Sequence, residues 1–314
     1  MATILYLALM AVGAILFVGI INRVKAVWGG RRGVPLWQLG YDLARLLRKG
    51  EVISTTTSII FRVAPSVSLG AIITAALLVP LPGSHALLAF RGDFVLFAYL
   101  LAFSRFVLVA AALDTGSSFE GMGASREVTF ATIIEPAFFI LMGTLALASG
   151  KTSFTGIFNA LAGSSTYTLV VRLLCAVALF IMLLTEGSRV PVDDPNTHLE
   201  LTMIHEVMIL DTSGPDLAFM HFGHALKMVT IGALGANVVA IGVFSTLVEP
   251  PWAHALLGGL LLAVVLATTA AAVGVVESLF ARARLAHLPQ MMFVMTALSL
   301  TAFGIVSFFA HGGY

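Results

Sequence analysis

Apolar residues run along the chain in eight long blocks separated by shorter polar stretches. A helix needs about 20 mostly apolar residues to cross the hydrocarbon core of a bilayer. The blocks reach that length at approximately 3–22, 60–80, 94–114, 127–148, 167–185, 222–247, 253–276 and 290–310. The pattern predicts an all-α, polytopic membrane protein with eight transmembrane helices, forming a single integral membrane domain over 1–314. The first block lacks the basic stretch that opens a secretory signal and is followed by Arg23 and Lys25, so it reads as a retained span. Glu135-Pro136 lies inside the fourth block, where the proline is expected to kink the helix or free a carbonyl. No inverted repeat of the secondary-transporter kind is evident.

A different period appears after the first block. Leu36, Leu39, Leu43, Leu46 and Leu47 share one helical face, with Trp37 at its start and Arg45, Arg48 and Lys49 on the remainder. This predicts an amphipathic interfacial helix on the cytoplasmic leaflet. Basic residues set the topology. Arg23, Lys25, Arg31, Arg32, Arg45, Arg48, Lys49, Arg126, Arg189, Arg282 and Arg284 fall on one side, and only Arg91 and Lys151 on the other. The positive-inside rule puts the first side in the cytoplasm and both termini outside, in a bacterial or archaeal cytoplasmic (inner) membrane.

Composition agrees and narrows the chemistry. Hydrophobic residues make up 59 % and charged residues 11 %, against about 25 % charged in a soluble domain; mean hydropathy is +1.01. A net charge of +1 excludes nucleic-acid binding by bulk charge. The one cysteine, Cys175, excludes a disulfide scaffold. It also excludes an iron–sulfur or nickel–iron centre ligated by this chain alone, so any redox metal must reside in partners.

The acids are unevenly placed. The connection 186–221 holds Glu186, Asp193, Asp194, Glu200, Glu206, Asp211 and Asp216, seven of the sixteen, offset only by Arg189, with His198 and His205 among them. Leu199, Leu201, Met203, Ile204, Val207, Met208, Ile209 and Leu210 are interleaved. Such interleaving suggests carboxylates folded into a crevice, where burial brings them into a useful pH range. No metal site is expected: His205-Glu206 lacks the second histidine of a zincin helix, and His221 with His224 is more simply a hydrogen-bonding pair at a membrane boundary. Asp114 and Glu120 are read as framing a glycine-rich connection, Gly116 to Gly123.

The run Glu186-Gly187-Ser188-Arg189-Val190-Pro191-Val192-Asp193 resembles the E-x-x-R-x-P-F-D signature of the subunit 1 family of respiratory complex I. Its continuation through Asp194, His198, Glu200, His205 and Glu206, and the segment Ser213-Gly214-Pro215-Asp216-Leu217-Ala218, resemble one branch of that family. This is the branch of energy-converting membrane-bound nickel–iron hydrogenases, including the membrane subunits of formate hydrogenlyase and hydrogenase-4. Val192, Asn196 and His198 depart from the quinone-reducing members, which carry phenylalanine and further carboxylates there.

The resemblance implies a membrane anchor and proton-coupling subunit, not catalytic alone, within an oxidoreductase complex. It implies an iron–sulfur small subunit and a hydrogenase-like large subunit on the cytoplasmic face, and antiporter-like membrane subunits alongside. Iron–sulfur clusters, and nickel–iron where retained, would belong to those partners, with no cofactor in this chain. Arg31, Arg32, Arg45, Arg48, Lys49, His198 and His205 are then docking candidates. Glu135, Glu186, Asp193, Asp194, Glu200, Glu206 and Asp211 are relay candidates, with Arg105, Arg189 and Lys227 as counter-charges. The alternative is a quinone-binding subunit 1 of a complex I-type NADH–quinone oxidoreductase; a stand-alone transporter is a third reading.

An ionisable group in a span costs roughly 2.5–3.5 kcal/mol on insertion scales unless paired. Arg105 and Glu135 lie at similar depth in their spans, so an ion pair is expected between them. Lys227 is expected to face Glu186, Glu200 or Glu206, Arg172 to snorkel outward, and Glu277 to join Arg282 and Arg284 in a surface cluster.

Overall fold

The computed structural model describes residues 2–161, 166–193, 203–241, 251–280 and 287–311, with side chains omitted at 2–5, 166–167, 251–255 and 310–311. The expected Asp194, His198, Glu200, Arg282 and Arg284 lie outside the described residues. The described elements are helices throughout. In chain order they are α1 (Ala2–Trp28), α2 (Gln38–Leu46), α3 (Ile59–Leu78), α4 (Asp93–Asp114), α5 (Ser118–Ser149), α6 (Phe154–Ala160), α7 (Thr166–Glu186), α8 (His205–Met208), α9 (Gly214–Ala240), α10 (Pro251–Leu279) and α11 (Leu288–His311). Eight of them are long and apolar enough to span a bilayer, matching the eight blocks in the sequence.

Helix ends follow local chemistry. Ser58 caps α3, accepting from Ile60 N at 3.2 Å. Asp114, at the end of α4, adds a second cap by accepting from Ser58 N at 2.7 Å and Phe61 N at 3.3 Å. Pro215 opens α9 at a position where its missing N–H has no intrahelical partner to lose. Gly150 closes α5 in the left-handed conformation, φ 65°. The helix α5 runs unbroken through Pro136.

The helices α9 and α5 correct the sequence reading. The span expected from 222 begins at Gly214, so Asp216, His221 and His224 are helical and the acidic connection ends at 213. The glycine-rich stretch expected to be a loop is helical from Ser118, because the α5 helix extends well past its apolar block. At 1.5 Å per residue, α5 and α9 run to roughly 48 and 40 Å, against a hydrocarbon core of ~30 Å. Their polar first turns therefore stand beyond the core, on the side bearing most Lys and Arg.

α9 is the axis of the bundle. It packs against α3, α7, α1, α10 and α2, and 67 % of its most apolar window is buried. Apolar burial against lipid supplies little net driving force, so close packing of small residues carries more weight. Ala225, Ala233, Ala236, Gly223 and Gly232 let neighbours approach the α9 axis. Asn237 Nδ2 donates to the Pro80 carbonyl at 2.8 Å and fastens the far end of α9 to the turn after α3. Large apolar side chains such as Phe103, Phe106, Leu260 and Phe308 face outward, as acyl chains require. α2 has no buried residue; its Leu39 turns to the bundle while Trp37, Tyr41 and Leu47 are exposed.

Candidate functional site

Three carboxylates converge on one guanidinium. Arg105, on α4, pairs through Nε with Glu127 at 3.2 Å and through its two terminal nitrogens with Glu135 and Glu186. Lys227, on α9, donates to the other oxygen of Glu186 at 3.2 Å. The Arg105–Glu135 pair expected from depth is present, and Lys227 finds Glu186 among its three expected partners. Glu127 was missed, although its spacing from Glu135, eight residues along one helix, puts both on one face of α5. The geometry follows from helix ends: Glu186 closes α7, Glu127 sits near the polar start of α5, and α9 brings Lys227 to Glu186. Side-chain exposure is 9 % for Arg105 and 3 % for Glu186, but 40 % for Glu135. Glu135 is the cluster's outward edge.

Beside this cluster lies a polar crevice of about 170 Å³. Asn22, Arg189, Asp193, Glu206 and His221 line it. A tight turn after α7 aims the first of the acids inward. Gly187 packs so closely that a Cβ there would lie 2.6 Å from the Leu183 carbonyl and 2.8 Å from Met228 Sδ. Ser188 takes φ 44°, a left-handed conformation that costs a non-glycine residue energy and that clusters at functional sites. Asp193 Oδ2 then accepts from Ile204 N at 2.9 Å, tying the turn to α8. Arg126 adds a bond from its guanidinium to the Met203 carbonyl at 2.9 Å. α8 lies hard against α5: a Cβ on Gly123 would meet Val207 Cγ1 at 2.3 Å and the Ile204 carbonyl at 2.8 Å.

Other candidates are placed differently. His205, expected at the docking surface, is 6 % exposed and faces inward. Asp211 is exposed and outside the Arg105 cluster; its N–H donates to Glu120 Oε1 at 2.9 Å, so the buried carboxylate there is Glu120. Glu277, expected on the surface, is buried and lies 2.7 Å from Lys25 and 3.5 Å from Arg189. The reason is helix packing: α10 lies along α1 and presents its last turn to the bundle. Arg189 thus counters Glu277. Arg172 donates to the Ile241 carbonyl at the outer end of α9. Arg31, Arg32, Arg45, Arg48 and Lys49 are exposed, as docking residues must be. Among the described residues no group of three or more His, Cys, Asp or Glu is arranged to hold a metal ion.

Burial pushes the His205 imidazole down to about 3, with Lys227 and His221 adding to the shift. A free imidazole titrates near 6.5. Above that pH neither the buried nor the opened segment binds a proton at His205. As pH falls from ~6.5 towards ~3, only the opened segment does. The buried placement therefore loses about 1.4 kcal/mol per pH unit through that window. Amide exchange of residues 203–212, corrected for intrinsic rates, should speed up about tenfold between pH 7.5 and 5.5. The acceleration should shrink in His205→Phe; exchange that is flat with pH in the parent chain contradicts the burial argument.

Comparison with known proteins extends the picture. The family model described as NADH dehydrogenase matches residues 1–307. Hydrogenase-4 component C of Escherichia coli (strain K12) is 35 % identical over 222 residues, covering 70 % of this chain and 68 % of that protein. Formate hydrogenlyase subunit 4 of the same organism is 30 % identical over 309 residues, covering 95 % of each. A chain of the membrane-bound sulfane sulfur reductase, an archaeal respiratory membrane complex, superposes with a TM-score of 0.78 over 96 % of this chain and all of that one. Its identity of 21 % makes that a likeness of fold.

Proposed function

The chain belongs to the NADH dehydrogenase family, and from that membership we propose that it is the membrane anchor and proton-coupling subunit of a hydrogenase-type respiratory complex. It is a multi-pass membrane protein whose relatives are components of hydrogenase-4 and formate hydrogenlyase. The observation that carries the reading is the charge count around Arg105. Among the described residues, Glu127, Glu135 and Glu186 face two cations, Arg105 and Lys227. A purely architectural cluster is best balanced, since uncompensated buried charge is costly. Three carboxylates against two cations leave one negative charge, which a proton neutralises and whose release restores it.

The edges of the cluster indicate its neighbours. A carboxylate exposed by 40 % along a spanning helix needs a protein cover, which an antiporter-like membrane subunit on the outer face of α4 and α5 would supply. At the other end, the basic residues 23–49 and the crevice acids form one platform. An iron–sulfur small subunit and a hydrogenase-like large subunit would dock there, on the cytoplasmic side of an inner membrane, with both termini outside. Those partners would hold the iron–sulfur clusters and any nickel–iron site. Val192, Asn196 and His198 depart from the quinone-reducing members, which favours this reading over a quinone-binding subunit.

Purification of the tagged chain from native membranes in mild detergent, with mass spectrometry and metal analysis, tests the assignment. The expected result is co-purification of iron–sulfur proteins and antiporter-like subunits, with iron bound to the complex. Recovery of the chain alone in a transport-competent form, or soluble partners bound on the face bearing the termini, would overturn it.

A further inference from the structure

Two cavities meet at a pair of imidazole rings. The crevice with Asp193, Glu206 and His221 lies on one side. On the other is a cavity of about 20 Å³ lined by Arg105, Glu127, Lys227, Ser68 and Ser104. Among the described residues, His205 and His224 alone line both. Their rings stack with centroids 4.4 Å apart and planes 27° from parallel. Around them the inner cavity is walled by apolar side chains, among them Leu101, Leu108, Met208 and Met220. The two rings are the polar groups that the inner cavity shares with the crevice.

Their hydrogen bonding is incomplete in an informative way. His224 Nε2 lies 3.0 Å from the Gly187 carbonyl, which can only accept, so this nitrogen carries the hydrogen. In a neutral ring Nδ1 is then the basic nitrogen. It is buried without a hydrogen-bond partner among the described residues, and so is His205 Nε2. A buried polar atom left unpartnered calls for an explanation, and two in one wall share one: each is a place for a proton to land.

We propose that the stacked His205–His224 pair is a proton-transfer site that passes single protons between the crevice and the carboxylates around Arg105. The proposal rests on the proton-coupling reading above and adds the step that joins its two halves. A carboxylic acid of the crevice, Glu206 or Asp193, gives its proton to the bare nitrogen of a ring. The imidazolium formed gives a proton to the Glu127 carboxylate on the inner side, and the ring returns to neutral. One proton enters for each that leaves, and no electrons move. Two like charges at this separation exclude each other, so the pair carries one proton at a time. Lys227 faces both rings from α9 and Arg189 faces His224 from the turn after α7, while Arg105 lines the inner cavity. Burial and the Lys227 charge keep the resting His205 ring neutral and its imidazolium short-lived, as a transfer site requires.

The test uses the intact complex in liposomes, reading protons translocated per redox turnover. His205→Phe keeps a stacking ring and removes the basic nitrogens; His205→Ala leaves a hole the size of imidazole. Both should lower the ratio about tenfold or more. Added imidazole should restore it in His205→Ala alone, with a rescue that grows as the neutral fraction of imidazole grows. His224→Gln can still donate to the Gly187 carbonyl but cannot take up a proton. It should lower the ratio as well, and it carries the test if His205→Phe fails to assemble. A parental ratio in an assembled His205→Phe or His224→Gln complex, or an alanine defect that imidazole leaves untouched, overturns the proposal. Glu135→Gln separates the two levels. If it is impaired while His205→Phe is normal, the pair is packing and the coupling reading stands; if both are normal, the coupling reading itself has failed.

Discussion

Glu135→Gln is expected to leave the complex assembled and to lower the protons translocated per turnover by about 10²-fold. Glutamine keeps the shape and can still accept a hydrogen bond from Arg105, but it cannot take up or release a proton. Assembly should survive because Arg105 retains Glu127 and Glu186, and because Glu135 is the least buried of the three. In a two-member pair the same change would strand the arginine; three acceptors make the site tolerant of losing one. The measurement is proton uptake by proteoliposomes alongside redox turnover, with assembly followed by co-purification. A parental ratio in an assembled Glu135→Gln complex would sink the relay. Failure to assemble would show that the cluster is a structural joint.

Arg105→Gln should have the opposite profile. It leaves Glu127, Glu135 and Glu186 facing one another with Lys227 as their one described cation. Breaking a buried ion pair by removing one partner costs about 3–5 kcal/mol. For a chain of this size that lowers the melting temperature of the purified complex by about 10 °C. Adding Glu127→Gln restores the parental charge count while keeping the Lys227–Glu186 contact, so the double variant should recover roughly half of the loss, by the logic of coupled neighbours. Melting of Arg105→Gln within about 2 °C of the parent would show that the three carboxylates are already neutral, and the charge argument would fall.

The number and placement of the spans were legible because each is a local property. Twenty apolar residues in a row have one low-energy solution in a bilayer, whatever the rest of the chain does. The interfacial helix α2 was legible for the same reason, its leucines recurring at helical spacing. The signature at Glu186 to Asp193, and with it the family, lay in a contiguous run of residues. Intramembrane charges also stand out in sequence, because an unpaired one is so costly that Arg105 and Glu135 had to find partners.

What the sequence left open concerns side chains whose environment is set by distant helices. Hydropathy marks where a helix is apolar, not where it stops. Thus α5 and α9 start several residues before their blocks, and Glu120, Asp216 and His221 moved from loop to helix. Polar residues cannot announce from sequence whether they face water or a neighbour. Glu277 and His205 read as surface groups until α10 packed along α1 and α8 packed under Gly123. Glu127 carried the right spacing from Glu135, yet nothing local says that α4 places one guanidinium within reach of both and of Glu186 at the end of α7. The chain by itself determined that it spans a membrane eight times, which side is basic and which family it joins, since periodicity, charge and motif are all written along one dimension. Only the tertiary structure decided which charges meet, because an ion pair across four helices depends on rotation and depth that packing around α9 sets.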